Sequence, residues 1–174
     1  MPMSQFDKRA VSSGGEVPPI PRDEDFCGWL ANQASLLRSG NYAELDSVSL
    51  AEELEAMAAS ERRKVDSLLR VVLVRLLKWH YSKTRRSENS WKVSLITVRI
   101  DVADVLQDSR TLRNELPSLL AKAYQGARLV AGTEMRMAKH DWQRLFPAIC
   151  PWTESQVLDE DFFPEIAPRA NGRS

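Results

Sequence analysis

The sequence predicts an all-α fold: a single-domain bundle of about five helices around a long central helix, with an irregular, aromatic- and proline-rich C-terminal segment packed across it. Three observations carry this prediction. Apolar residues recur at spacings of three and four through most of the chain, which is the helical period. Residues that start and stop helices stand between these runs. Only 7 of the 174 residues are glycine, too few for a chain built mainly of loops or for a barrel.

The first helix is predicted to begin within 23–25, where three acidic side chains suit a helix N-terminus. Gly40 is predicted to end it, because glycine readily adopts the left-handed conformation that closes a helix. Between these limits the residues of one face follow at helical spacing. They are Phe26, Trp29, Leu30, Gln33, Leu36 and Leu37.

The second helix is predicted to open within 46–49, and the central helix of the fold is predicted from Val65 onward. Ser49 and Glu52 have the spacing of a capping box, in which each side chain satisfies a free backbone N–H of the other residue. Ser60 is a possible break. From Val65 onward the apolar residues form one stripe and then cover nearly the whole circumference, which indicates a helix packed on several sides. The stripe comprises Val65, Leu68, Leu69, Val72, Leu73, Leu76 and Trp79.

The segment 91–106 contains many β-branched residues, and Val98, Ile100 and Val102 alternate as in a strand. Its length and its lack of turn residues nevertheless favour a helix. The pair Asp108-Ser109 is predicted to cap the next helix. Pro117 either begins a helix there or kinks one already under way.

The last third of the chain changes character, because prolines and aromatics cluster between 142 and 164 without a long period. This composition predicts the irregular covering segment, with a short helix that starts at a capping box of Thr153 and Gln156. Residues 1–22 and 167–174 carry few large apolar groups and are predicted to be a disordered leader and tail. The predicted single domain therefore spans 23–166.

Charge and cysteine content narrow the class of protein. Lys plus Arg and Asp plus Glu are 24 each, so the net charge is zero, which argues against a surface that binds polyanions throughout. The N-terminus has no apolar run of signal-peptide length, and the most apolar stretch, 68–77, is about half a membrane span and contains two arginines. We therefore expect a cytoplasmic protein that does not enter membranes. Cys27 and Cys150 stand apart and are expected to be buried free thiols, with no metal site and no cofactor.

Glu52, Glu53 and Glu55, with His80, are the weak candidates for catalysis. Glu52 and Glu55 share a helical face, and carboxylates on bundle helices can hold metal ions. Di-iron bundles also use a Glu-x-x-His pair, which this sequence lacks. A position in the first helical turn would explain the acidic residues through the helix dipole alone.

The segment 62–86 carries nine positive charges and one negative charge, with tryptophans nearby. An aromatic-flanked basic patch of this kind can bind nucleic acid. The alternative is internal neutralisation by the acidic segment 154–165 or by the glutamate cluster, and the zero net charge favours it. The weak candidates for ligand or nucleic-acid binding are Arg62, Arg63, Arg85, Arg86 and Trp91.

Several unusual short sequence motifs occur in a fixed order, and through them the chain resembles the bacterial family of unknown function called DUF29. They lie within 24–165 and include Asp25–Leu30, Leu50–Met57, Leu76–Trp79, Ser90-Trp91, Ala123-Tyr124, Phe146-Pro147, Cys150–Thr153 and Asp161–Glu165. The resemblance implies an all-helical fold in a bacterial cytosolic protein and supplies no activity, cofactor or substrate. Where relatives tend to have Glu-Thr-Gly, this chain has Thr133-Glu134-Met135, which leaves the end of that helix open.

Together these observations favour a non-enzymatic protein-interaction module that binds a protein partner or forms a homodimer. A small metal-binding or hydrolytic enzyme that uses the glutamate cluster is the first alternative, and a nucleic-acid binder the second.

Overall fold

A computed structural model describes residues 21–82 and 88–167. Within these ranges the chain forms six α-helices, one short 3-10 helix and no strand, so the predicted all-α fold is confirmed. The elements are α1 (Phe26–Ser39), the 3-10 helix (Tyr42–Glu44), α2 (Ser47–Tyr81), α3 (Glu88–Asp108), α4 (Arg110–Glu134), α5 (Lys139–Leu145) and α6 (Glu154–Leu158). The predicted long central helix is α2, with 35 residues.

The chain divides into two compact units, Met1–Leu54 and Glu55–Ser174. Helix α2 contributes residues to both. In the first unit Trp29 and Gln33 of α1 are buried. Gln33 Oε1 accepts a hydrogen bond of 2.9 Å from the backbone N–H of Asp46, which ties the loop before α2 to α1. The predicted domain limits of 23 and 166 stay a prediction.

Both predicted ends of α1 are confirmed. The Asp25 side chain accepts a hydrogen bond of 2.9 Å from the Gly28 N–H and caps the helix. Gly40 has a φ of 75°, in the left-handed region that glycine adopts without a steric penalty, and ends it.

The predicted capping box at the start of α2 is wrong. The helix begins at Ser47, and Asp46 Oδ1 accepts a hydrogen bond of 3.1 Å from the Ser49 N–H. Asp46 therefore caps the helix. Hydrogen bonding to the Ser49 side chain, and next to it the bond to the Ser49 N–H, lowers the pKa of the Asp46 carboxyl. Ser49 already lies in the first turn, and α2 continues through Ser60 without a break.

The core of the second unit forms around the C-terminal half of α2. Six residues of the predicted stripe and its flanks have no exposed surface: Val65, Leu69, Val72, Leu73, Leu76 and Leu77. The buried face of α4 packs against this core through its own apolar stripe, which includes Leu116, Leu119, Leu120, Ala123, Tyr124, Ala127 and Ala131. Burying each large aliphatic side chain contributes roughly 1.5–3 kcal/mol, so this shared core is the main source of stability.

The segment predicted to be helical despite its β-branched residues is α3, which is a helix over its whole length. Of the predicted pair Asp108-Ser109, Ser109 caps α4 and accepts a hydrogen bond of 3.2 Å from the Leu112 N–H. Pro117 lies inside α4 rather than at its start. Near the other end of α4, Gly132 leaves room for Trp142 of α5. If residue 132 were alanine, its Cβ would lie 2.5 Å from the Cγ of Trp142.

The C-terminal segment crosses the second unit as predicted. Tyr124 and Gln125 of α4 donate hydrogen bonds to the carbonyls of Pro147 and Ala148 at 3.0 and 2.9 Å. The capping box of Thr153 that starts α6 is confirmed. These bonds satisfy two carbonyls of an irregular chain that packs against the core.

The expectation of two buried thiols is wrong for Cys27, which is exposed on the outer side of α1. Cys150 is half-buried in the C-terminal segment, and burial raises the pKa of its thiol. Both cysteines are free.

Candidate functional site

The glutamate cluster forms an ion-pair site in the first unit. Arg22 Nη1 contacts Glu52 Oε2 at 3.1 Å, and its Nη2 pairs with Glu53 Oε1, while the guanidinium lies 5.8 Å from the Trp29 ring centroid. The hydrogen bond to Glu52 is the main cause that raises the pKa of Arg22. Glu55 is exposed and belongs to the second unit.

This geometry changes the interpretation of the cluster. Glu52 and Glu53 lie beyond the first turn of α2, so the suggested stabilisation by the helix dipole does not apply to them. Their partner is Arg22, which the sequence placed in the disordered leader. In the described ranges no three His, Cys, Asp or Glu side chains come together as metal ligands would.

His80 lies in the last turn of α2 in the second unit and has different neighbours from the glutamates. Its Nδ1–H donates to the carbonyl of Glu165, and its own carbonyl accepts a hydrogen bond of 2.9 Å from the Ala167 N–H. Its ring packs edge-on against Tyr81 and Trp152, with centroid distances of 4.4 and 6.2 Å. The structure thus places His80 as an anchor for the end of the C-terminal segment.

Three of the six Lys and Arg residues of α2, namely Arg62, Arg70 and Lys78, pair with carboxylates of the second unit. Arg62 makes two hydrogen bonds to Glu115 of α4, at 2.6 and 2.8 Å, which lower the pKa of that carboxyl and raise that of Arg62. Further along, Lys78 Nζ contacts Glu134 of α4 at 2.6 Å. Two of these carboxylates belong to α4, and the third is Asp66 of α2, which contacts Arg70 at 2.5 Å, so none of the three comes from the acidic segment 154–165.

Arg63 differs from these paired cations. Arg63 is exposed and makes no ion pair with any residue of the described ranges. Arg85 and Arg86 lie outside the described residues. Nucleic-acid binding by these three arginines therefore stays a prediction.

Trp91 lies in a cleft of about 470 Å³ at the C-terminal end of α2. We call this the Trp91 cleft. It is lined by Lys78, Tyr81, Ser82, Trp91, Glu134, Met135, Arg136, Met137 and Leu145. Lys78 Nζ lies 5.0 Å from the Trp91 ring centroid, so a paired cation covers one side of the indole.

Arg136 is the unusual residue of the Trp91 cleft. Its φ is 55°, the only positive value outside glycine among the described residues. Its N–H bonds to the Thr133 carbonyl and the Met137 N–H bonds to the Gly132 carbonyl, both at 2.9 Å, which is the Schellman pattern that ends α4. The left-handed position of this motif is ordinarily glycine, so an arginine stands here against the steric preference.

Sequence reasoning missed Arg136 because a helix end without glycine does not reveal which residue will turn left-handed. It also missed Arg99 of α3, although a signal was present. Arg99 falls between Leu95 and Val102 on the face of α3 that is buried, and it is 1% exposed. An arginine on an apolar stripe has to find acceptors in the interior.

The remaining candidate surface is apolar and lies on α1. Phe26, Leu30 and Leu37 are 43%, 38% and 44% exposed and share one side of the helix, because their spacing of four and seven returns to the same angle. We call this the α1 face. The first unit also exposes Tyr42, Val48 and Leu54.

None of the helices in the described ranges combines the length and the hydrophobicity that a membrane span requires. No curated protein and no solved structure matches the chain. The sequence model of the family described as "Domain of unknown function DUF29" matches residues 22–163, a range that includes α1 to α6. The chain therefore belongs to the DUF29 family.

Proposed function

We propose that this chain is a non-enzymatic, cytosolic bacterial interaction module that pairs with a second copy of itself through the α1 face. The observation that supports this proposal is the exposure of Phe26, Leu30 and Leu37 on one side of a single helix. Amphipathic helices dock through apolar residues at this spacing. Scattered single apolar residues need no explanation, whereas an aligned set on one helix side is typical of a contact surface.

The charges at the two ends of α1 favour a second copy as the partner. Asp23 and Glu24 precede the helix, and Arg38 lies in its last turn. In an antiparallel pair related by a two-fold axis, the acidic end of each copy faces the basic end of the other. A two-fold interface must be self-complementary, and this arrangement of charge meets that condition.

The apolar contacts fit the same arrangement. An antiparallel pair places Phe26 of each copy near Leu37 of the other, with Leu30 close to the axis. Apolar surface removed from water contributes roughly 25 cal/mol per Å², so three side chains from each copy support a weak dimer. We therefore expect a dissociation constant in the micromolar range rather than an obligate dimer.

Sedimentation equilibrium on the full chain, over a hundredfold range of concentration, tests the proposal. We expect the mass to rise from one to two copies. Leu37→Glu should weaken association at least tenfold, because it places a charge in the apolar contact. Val93→Glu, which changes an exposed apolar residue of α3, should leave association unchanged.

Arg38→Glu tests the orientation. It should weaken association modestly, and more at low salt than at high salt, because it sets like charges against each other at both ends of the pair. A folded parent protein that stays monomeric at every concentration would refute self-association. A dimer that is weakened by Val93→Glu and not by Leu37→Glu would place the interface elsewhere.

A further inference from the structure

We infer that the Trp91 cleft binds a small aromatic monocarboxylate, with the Arg136 guanidinium as the group that receives the carboxylate. This inference is independent of self-association through α1. It rests on three features of the cleft: the strained position of the arginine, the balance of charge, and the nature of the walls.

The backbone of Arg136 is strained. A glycine at 136 would complete the Schellman motif without a steric penalty, yet the chain has arginine there with a φ of 55°. The Arg136 side chain makes no hydrogen bond or ion pair with the described residues, so its own contacts do not offset the strain. Because no contact of the side chain offsets the backbone strain, we infer that the side chain serves binding rather than folding.

The charge of the cleft selects the ligand. Lys78 and Glu134 neutralise each other at 2.6 Å. Arg136 is then left as the cation without a carboxylate among the described lining residues. A planar guanidinium binds a carboxylate through two parallel hydrogen bonds, which a monoanion satisfies. The carboxylate of Glu134 close by disfavours a ligand with a second negative charge.

The walls select an aromatic body for that ligand. Trp91 and Tyr81 offer ring surfaces, and Met135 and Met137 offer thioethers, which pack adaptably against aromatic rings. The cleft volume of about 470 Å³ lies within the usual range of small-molecule sites. An aromatic carboxylate therefore matches both the apolar walls and Arg136, which has no carboxylate partner among the described lining residues.

Calorimetric titration of the full chain with 2-naphthoate tests the inference, with the uncharged 2-naphthalenemethanol as the comparison ligand. We expect 2-naphthoate to bind with a dissociation constant below about 1 mM. The alcohol should bind at least about tenfold more weakly. Absence of 2-naphthoate binding at millimolar concentration would overturn the inference, and so would equal binding of the two ligands.

Arg136→Gly separates a binding role from a structural one. It should weaken 2-naphthoate binding about tenfold or more and raise the thermal midpoint, because glycine relieves the left-handed strain. Arg136→Lys should retain part of the binding. Arg63→Ala, which removes another exposed and unpaired cation, should change neither quantity.

The thermal midpoint and the 2-naphthoate affinity of Arg136→Gly each provide a result that would overturn the assignment. A lower thermal midpoint for Arg136→Gly would show that the arginine supports the fold, and it would remove the argument from strain. Unchanged 2-naphthoate binding by Arg136→Gly would show that the carboxylate is received elsewhere. Either result overturns the assignment of Arg136.

Discussion

Replacing Arg99 tests the central electrostatic feature of the second unit. Arg99 is 1% exposed, and its guanidinium donates three hydrogen bonds to the C-terminal segment. Nε donates to the Val157 carbonyl at 2.8 Å, Nη2 to Gln156 at 3.3 Å and Nη1 to Glu160 at 3.4 Å. The three acceptors lie in the last turn of α6 and just after it, so one buried cation holds the end of that helix.

The expected cost of Arg99→Met follows from these bonds. The bond of 2.8 Å contributes about 2 kcal/mol as a charge-assisted bond, and the two longer ones about 1 kcal/mol each. Desolvation acts in the opposite direction, and it lowers the pKa of Arg99 to about 10. The net loss of unfolding free energy should therefore be about 2–3 kcal/mol, below the sum of the bonds.

Urea unfolding of the full chain measures this loss, with Arg113→Met as the matched control. Arg113 also donates to two backbone carbonyls, those of Leu106 and Gln107, at 2.9 Å, but it is exposed. We expect the control to cost less than about 1 kcal/mol, because water can replace its bonds. The comparison separates the effect of burial from that of hydrogen bonding alone.

Hydrogen exchange locates the loss. In Arg99→Met the amides of α6 should lose protection before those of α2, because the substitution first releases the C-terminal segment. Arg99→Lys should fall between the parent and Arg99→Met, since an ammonium keeps the charge and reaches fewer of the carbonyls. If Arg99→Met is as stable as the parent, or if it costs no more than Arg113→Met, the proposed role of the buried cation is wrong.

Two further predictions follow from the packing and ionisation of α4. Gly132→Ala should cost about 1–3 kcal/mol in a melting experiment, because its Cβ would meet the Trp142 ring, whereas Gly126→Ala should be nearly neutral since it meets only a flexible side chain. Equal effects would contradict this reasoning. The lowered pKa of Glu115 means that its stabilising effect is complete above its ordinary pKa of 4.5 and is lost as pH falls through the lowered native value. Glu115→Gln should therefore flatten the acid limb of the stability profile, and an unchanged limb would show that the bond to Arg62 does not contribute.

The helices could be predicted because their signals are local. The caps Asp25, Gly40, Ser109 and Thr153 act within three or four residues of sequence, and the apolar stripe of α2 repeats at a fixed period. The start of α2 was misjudged because two residues within one turn, Asp46 and Ser49, could both serve as the cap. Only the backbone path shows which of two such side chains precedes the first helical residue.

The sites could not be predicted to the same degree, because their partners are distant in sequence. The glutamates on α2 pair with Arg22, about thirty residues away, and the chemistry suggested by the glutamates alone was different. The left-handed φ of Arg136 depends on where α4 ends, which the sequence left open. Sequence periodicity identifies a face, whereas a site requires knowledge of what that face meets.

The distribution of paired and unpaired cations connects these observations. The C-terminal half of α2 is buried on several sides, and a cation at its border is neutralised where a neighbouring helix or α2 itself supplies a carboxylate. Arg62 and Lys78 meet this condition through α4. Arg136 and Arg63 have no ion pair and no side-chain hydrogen bond among the described residues, so both side chains are available to a ligand. Arg136 lies in a cleft with aromatic walls and Arg63 on an open helix surface, so a specific ligand is expected at the first and only salt-sensitive contact at the second.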